Sequence, residues 1–340
     1  MPPWATQDTI LALFGCLKKY RVLLQEIKDI FHKELDPMYA SEEVDSFFHL
    51  CVEHYLHLER FALVLQPDLV LAKEEETPLF EALSKLKLEQ PLQYILGTAH
   101  FMGLDFKVNE HVLIPRPETE ELVEWVISDI GHRISDRGHR TGDIKHQTSK
   151  TKHQTPSTEH RTSEIRDQNS EIKILDIGTG SGCIAIALAK KFPYANVYAL
   201  DVSEQAIGVA KENAELNGVD VAFIHQDILD PDFELELKFD VIVSNPPYVR
   251  ELEKEEIKAN VKKYEPHVAL FVQDEDPLLF YRTIAQFAIS HLNKNGKLYF
   301  EINQYLGTET QALLEAHNFL EIELRKDIFG NDRMLKGQLN

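Results

Sequence analysis

From Ile172 to residue 317 short apolar runs alternate with helical segments. That alternation restricts the chain to an α/β fold built on a mostly parallel sheet. Ile172 to Ile177 reads as a strand, Cys183 to Phe192 as a helix, and Val197 to Leu200 as a strand ending in Asp201. Ser203 to Asn217 reads as a helix closed by Gly218, and Val221 to His225 as a third strand. Val241, Ile242 and Val243 make a fourth, whose β-branched run suits a strand buried on both faces. Residues 277–292 and 306–317 read as helices around a fifth strand, Gly296 to Ile302. Phe319 to Leu324 and Arg333 to Leu339 form a closing antiparallel pair, turning near Gly330-Asn331-Asp332.

The fourth strand ends in Ser244-Asn245-Pro246-Pro247-Tyr248. Two successive prolines lack N–H donors and hold φ near −65°, so the sheet ladder stops there. Pro246 also drives Asn245 out of the helical region. The result is a stiff corner at the carboxyl end of a buried strand, where open α/β sheets bind ligands. A planar NH2 group carries two donors. The Asn245 side-chain oxygen accepts from one and the Pro246 carbonyl from the other, while Tyr248 stacks on the flat group. An amide nitrogen is a poor nucleophile because its lone pair is delocalised. Two fixed acceptors would orient it for attack on an electrophile. Asn-Pro and Pro-Pro are also ordinary turn dipeptides, so the corner alone admits a purely structural reading.

A second constellation lies upstream. Gly178-Thr179-Gly180-Ser181-Gly182 joins the first strand of this region to the first helix, and its glycines permit a tight turn and a close approach of helix and ligand. Asp201 ends the next strand, where a carboxylate can accept both hydrogens of a ribose diol. Asp227-Ile228 follows the third strand, where a carboxylate or backbone meets an adenine amine and Ile228 lies on the ring. The spacing GxGxG differs from the GxGxxG of dinucleotide folds, and the absence of a Walker lysine argues against a P-loop. The charge balance agrees: 36 Lys and Arg against 56 Asp and Glu give −20. Such a body suits a small cationic cofactor or a protein partner better than a phosphate backbone.

The N-terminal part is of another kind. From Thr9 to about Leu96 apolar residues recur at helical spacing, and Pro37, Pro67, Pro78 and Pro91 divide the segment into four or five short helices. Ser41 reads as a cap with Glu42 and Glu43 in the first turn. Residues 1–97 therefore form a helical domain, and its histidines lack metal-ligand spacing. Residues 98–116 read as a linking β-hairpin: Phe101 to Val108, a turn at Asn109-Glu110, and a return strand from His111 to Ile114. Pro117 opens a helix, and Arg116 and Glu118 either face a site or make an interdomain salt link. Within the domain that spans 117–340, residues 132–170 repeat a polar heptapeptide beginning at His132, His139, His146, His153 and His160. With no apolar seam this is no coiled coil, and a disordered insert is expected, without preset metal geometry. Cys16, Cys51 and Cys183 read as free thiols. No stretch is long and apolar enough for a membrane span, and Met1-Pro2-Pro3-Trp4 lacks a signal-peptide start, so a cytoplasmic location is expected.

The glycine turn, Asp201, Asp227 and the Asn-Pro-Pro-Tyr corner together resemble class I S-adenosylmethionine-dependent methyltransferases acting on planar NH2 groups. The stretch from Gln90 to Val126, QPLQYILGTAHFMGLDFKVNEHVLIPRPETEELVEWV, resembles the junction of the release-factor glutamine methyltransferases (PrmC/HemK), and the resemblance spans nearly the whole chain. It implies a Rossmann-like domain with a seven-stranded sheet. It implies S-adenosylmethionine as cofactor, held by Gly178, Thr179, Gly180, Ser181, Gly182, Asp201, Asp227, Ile228 and Asn245. It implies as substrate the glutamine of the Gly-Gly-Gln loop of class 1 peptide-chain release factors, held by Asn245, Pro246, Pro247 and Tyr248. No metal is called for, and a monomer is expected, with the helical domain and the hairpin offering the partner surface. The FVQDEDP run after Ala269-Leu270 departs from the family's glycine-rich pattern, and no role attaches to it. Two rival readings remain at this level: an adenine-N6 methyltransferase on DNA or RNA, which this corner permits and the net charge disfavours, and a non-catalytic cofactor-binding assembly factor.

Overall fold

The computed structural model describes residues 22–140 and 172–340, with residues 133–140 described by their backbone alone. The chain forms two compact units, Met1–Leu96 and Gly97–Asn340.

Among the described residues of the first unit a short antiparallel pair, β1 (Val22–Leu23) with β2 (Val70–Leu71), accompanies five helices. These are α1 (Leu24–Leu35), α2 (Ser41–Leu56), α3 (Ala62–Leu65), α4 (Lys73–Leu86) and α5 (Leu92–Leu96). Leu24, Ile27, Phe31 and Leu35 line one face of α1 at three- and four-residue steps and meet Val44, Phe48 and Cys51 of α2. Phe31 and Phe48 pack edge to face, 5.4 Å between centroids. Cys51 is a free buried thiol, pushed up to about 12 by burial; Cys16 lies outside the described residues. Two expectations need correction. Ala40, not Ser41, occupies the cap position of α2. Pro78 does not end a helix but sits inside α4. An interior proline costs about 3 kcal/mol, yet Leu79, Leu83 and Leu86 on the same helix are all buried, at roughly 1.5–3 kcal/mol each. Packing therefore outweighs the break.

The second unit opens with a hairpin, β3 (Thr98–Phe101) and β4 (Leu104–Lys107). Its turn is Met102-Gly103, both at positive φ (52° and 73°), the two-residue geometry that matches strand twist. The expected turn does form after Asn109, with Val112 N donating to Asn109 O at 3.2 Å and His111 N to Asn109 Oδ1 at 3.0 Å, but it closes no hairpin, since the return strand from His111 is not formed. Register explains the choice: closing at Met102-Gly103 buries Ala99, Phe101, Phe106 and Val108 together. Helix α6 then runs Pro117–Arg140. The expectation of disorder from His132 is thus corrected for residues 132–140, which continue this helix, and residues 141–171, which carry the rest of the repeat, lie outside the described residues.

The core is the expected seven-stranded sheet. Its strands are β5 (Lys173–Ile177), β6 (Asn196–Asp201), β7 (Ala222–His225), β8 (Phe239–Ser244), β11 (Leu292–Glu301), β12 (Leu320–Lys326) and β13 (Asp332–Gln338), in the order β12-β13-β11-β8-β5-β6-β7. Only β13 runs against its neighbours. A small parallel pair, β9 (Val249–Arg250) with β10 (Phe271–Val272), lies outside it. Helices α6 and α7 (Cys183–Lys191) cover one face and α11 (Leu279–His291) and α12 (Gly307–Ala316) the other. Helix α8 (Glu204–Asn217) packs with α6 and α7 through Ala214, and the short helices α9 (Ala259–Tyr264) and α10 (His267–Leu270) precede α11 in the chain. All six residues of β8 are buried. The chain leaves β5 toward β6 and β7 and returns to β8 on the opposite side, so the β5–β8 gap is the topological switch point where ligands bind.

Ser203 caps α8, its Oγ accepting from the Ala206 N–H at 3.1 Å, and Gly218 closes the helix at φ 62°. Ser203→Ala should lower stability by about 1 kcal/mol, read as a lower midpoint in urea unfolding with an unchanged slope.

Candidate active site

A cavity of about 220 Å³ opens at the carboxyl ends of β5, β6 and β8. Gly178, Thr179, Gly180, Ser181, Asp201, Asp227, Ile228, Asn245, Pro246 and Pro247 line it. Two of the expected residues do not. Gly182 (φ 83°) lies behind the cavity, where a Cβ would sit 2.8 Å from Ile186 Cδ1 and 3.1 Å from Ala210 Cβ, so this glycine serves the contact of α7 with α8. Tyr248 packs instead on the apolar cluster that contains α11.

The glycine turn is tied to β6 by hydrogen bonds. The N–H groups of Gly178 and Thr179 both donate to Leu200 O, at 2.8 and 3.0 Å. Asp201 Oδ2 accepts from Gly180 N at 2.8 Å and Oδ1 from Ser203 N at 2.9 Å. Asp201 is 9% exposed, and burial raises its pKa. Beneath the turn Asp176 is fully buried and accepts from Thr179 Oγ1 at 2.6 Å; burial pushes its pKa up to about 7. Asp227 Oδ1 accepts from Leu229 N at 2.8 Å, folding the chain so that Ile228 faces the cavity.

The corner is held from three sides. Ser244 Oγ donates to Ile177 O at 2.7 Å, joining β8 to β5. Asn245 Nδ2 donates to Thr119 Oγ1 at 3.2 Å, and Thr119 Oγ1 donates to Glu301 Oε2 at 2.6 Å. The Tyr248 hydroxyl donates to the other Glu301 oxygen at 3.0 Å. Below it Asn303 Nδ2 donates to Tyr248 O and to Glu253 Oε2, at 2.9 and 2.8 Å. Thr119 and Glu301 are 2% and 1% exposed. Burial raises both the Glu301 carboxyl and the Tyr248 phenol above their ordinary pKa values.

Arg116 lines the cavity, and its Nη2 donates to the buried Glu265 at 2.5 Å, while Ile114 N donates to the other carboxylate oxygen at 3.3 Å. Arg116 thus faces the site, and the alternative of an interdomain salt link is corrected, because its carboxylate partner lies within the same unit. Glu118 is not among the lining residues. The FVQDEDP run supplies β10, and Asp274 accepts from Leu252 N at 3.1 Å, so it buttresses the chain leaving the corner.

Thr119 lies within the Gln90–Val126 stretch, but Glu301, Glu265 and Asn303 carry no motif of their own. One signal was available: Glu301 is a carboxylate at the carboxyl end of a strand beside β8, where ligand-facing residues gather. Among the described residues no group of three His, Cys, Asp or Glu could hold a metal ion, and no helix is long and apolar enough to cross a membrane.

Residues 31–97 match the family described as PrmC N-terminal domain, and residues 161–263 the Methyltransferase small domain. A release factor glutamine methyltransferase of Flavobacterium psychrophilum is 48% identical over 315 residues, covering 93% of this chain and 99% of that one. Its counterpart in Bacteroides thetaiotaomicron is 37% identical, covering 92% and 99%. That of Lactococcus lactis is 38% identical, covering 78% and 83%. With the glycine turn, the Asn-Pro-Pro-Tyr corner and the N-terminal helical unit all in place, the chain belongs to the release factor glutamine methyltransferase family.

Proposed function

We propose that the protein transfers a methyl group from S-adenosylmethionine to the side-chain amide nitrogen of the glutamine in the Gly-Gly-Gln motif of class 1 release factors. The observation that carries this reading is that Asn245 and Pro246 line one cavity with the glycine turn and Asp201.

The residues present suit this cofactor. Gly180 has nothing within 4 Å of where a Cβ would be, so the backbone is open to a ligand. Asp201 would take the ribose hydroxyls, and Asp227 with Ile228 the adenine. When bound, S-adenosylmethionine supplies an electrophilic methyl on its sulfonium.

The chain's own part is positioning and acceptance. The Asn245 amide oxygen and the Pro246 carbonyl would accept the two hydrogens of the substrate amide, aligning its nitrogen and favouring the geometry of attack. Pro246 and Pro247 form a flat, stiff wall. Tyr248 acts through its hydroxyl bond to Glu301, not by stacking, since its ring does not line the cavity. No base is needed before attack, because the alkylated amide loses its proton to water. The same proposal places the protein in the cytoplasm as a monomer engaging the release factor.

Purified protein, S-adenosylmethionine labelled in its methyl group and a class 1 release factor are incubated beside a release factor carrying Gly-Gly-Ala. Label is expected on the first and not on the second. Equal label on both would sink the assignment of the acceptor.

A further inference from the structure

We propose that Thr119 and Glu301 set which way the Asn245 amide faces, making both of them positioning residues for methyl transfer. The inference rests on the glutamine reading above and deepens it. A side-chain amide has a donor end and an acceptor end of nearly the same shape. Only the acceptor end is useful toward a substrate NH2; the donor end would meet that NH2 head on. Something must therefore choose between two orientations half a turn apart.

The chain of hydrogen bonds makes that choice. Thr119 has one hydroxyl proton, and it goes to Glu301 Oε2 at 2.6 Å. An ionised carboxylate accepts only, so the proton has no alternative direction. The Thr119 oxygen then offers only lone pairs to Asn245, whose NH2 must face it, at 3.2 Å. The Asn245 oxygen is left for the cavity that Asn245 lines. The second Glu301 oxygen holds the Tyr248 hydroxyl at 3.0 Å, so one carboxylate anchors both ends of the Asn-Pro-Pro-Tyr corner. Glu301 and Thr119 are nearly inaccessible, and hydrogen bonds in such a dry place hold their direction more strongly than at a surface.

The charged state of Glu301 is part of the device. Once protonated, or replaced by an amide, this position donates toward Thr119. The Thr119 proton is then free to point at Asn245, which presents its oxygen to Thr119 and its NH2 to the cavity. Groups facing Glu301 are Thr119 and Glu118 from α6, Tyr248 from the corner, Arg333 from β13, Tyr281 from α11 and Cys183 from α7. Burial raises the Glu301 carboxyl, Thr119 and Tyr248 oppose that by hydrogen bonding, and Arg333 opposes it by its charge. A raised carboxyl protonates on acidification before ordinary ones do. Methyl transfer should therefore fall as pH drops through that value.

The test measures kcat and KM for the release factor, Kd for S-adenosylmethionine and the pH dependence of kcat, in wild type, E301Q, T119V and T119S. Misdirecting the amide should lower kcat on the order of 100-fold in E301Q and in T119V. Cofactor Kd should shift no more than about threefold, since the bonds lost lie away from Asp201. T119S, which keeps the hydroxyl, should recover most of what T119V loses. The double variant should be no worse than either single one, and E301Q should lose the acidic limb of the wild-type profile. A kcat within threefold of wild type in E301Q, or T119S as slow as T119V, would overturn the proposal. Should E301Q fail to fold, the T119V and T119S pair decides alone. If wild type itself leaves the release factor unmethylated, the glutamine reading falls and the network is judged by nuclear magnetic resonance. The Asn245 side-chain NH2 signal should then move in T119V, and an unmoved signal would refute the orientation.

Discussion

Asn245→Ala is expected to lower kcat by about 100- to 1000-fold while S-adenosylmethionine still binds within severalfold of its wild-type Kd. The side chain offers one acceptor to the substrate amide, and that acceptor matters most when the nitrogen lone pair leaves conjugation. Its loss therefore weighs on the transition state more than on the ground state. Asp201, the glycine turn and Ile228 belong to other strands and loops, so the cofactor keeps most of its partners. Truncation also leaves Thr119 Oγ1 without its 3.2 Å donor, which adds local disorder but leaves the Thr119–Glu301 bond intact. Single-turnover methyl transfer gives kcat and titration calorimetry gives Kd. Equal losses in both would mean that Asn245 is chiefly a cofactor ligand.

Gly182→Ala should cause the largest loss of stability among single changes at the glycine turn, roughly 2–5 kcal/mol. The position is left-handed at φ 83°, costing an alanine about 1–2 kcal/mol. Its Cβ would meet Ile186 Cδ1 at 2.8 Å, the movable end of a side chain, but also Ala210 Cβ at 3.1 Å and Ala210 Cα at 3.4 Å, which belong to a packed helix. Such overpacking adds about 1–3 kcal/mol. Gly180→Ala is the contrast. Its φ is 54° and nothing lies within 4 Å, so only the backbone term applies, whereas the new methyl stands in the ligand's space. Thermal unfolding should show Gly182→Ala melting well below Gly180→Ala, and cofactor titration should show Gly180→Ala with the weaker binding. The reverse order in either measurement would assign the two glycines wrongly.

These two positions also show how much was legible in the chain. β5 and β8 announced themselves as short apolar runs with β-branched residues, because a buried parallel strand leaves few other choices. Gly178, Gly180, Asp201, Asp227 and Asn245 could be placed because each must follow a strand end in a fixed chain order. Thr119 and Glu301 could not, since a hydrogen bond across 182 positions leaves no local pattern. The hairpin turn was misplaced because methionine at positive φ gives no turn signal, whereas Asn109-Glu110 marks a real turn that closes no hairpin. Pro78 was read as a break because local propensity was visible and the leucine packing that outweighs it was not. Tyr248 was assigned a stacking role from its neighbours in the motif, but the buried carboxylate that turns its hydroxyl away lies on another strand.

The most direct test is where the methyl group ends up. Release factor methylated by this protein is digested, the Gly-Gly-Gln peptide is fragmented by mass spectrometry, and acid hydrolysis frees the modified nitrogen as a small amine. A single methyl on the glutamine side chain, with methylamine released, is the predicted result. An unmodified peptide, with N6-methyladenine appearing in nucleic acid offered in parallel, would contradict it.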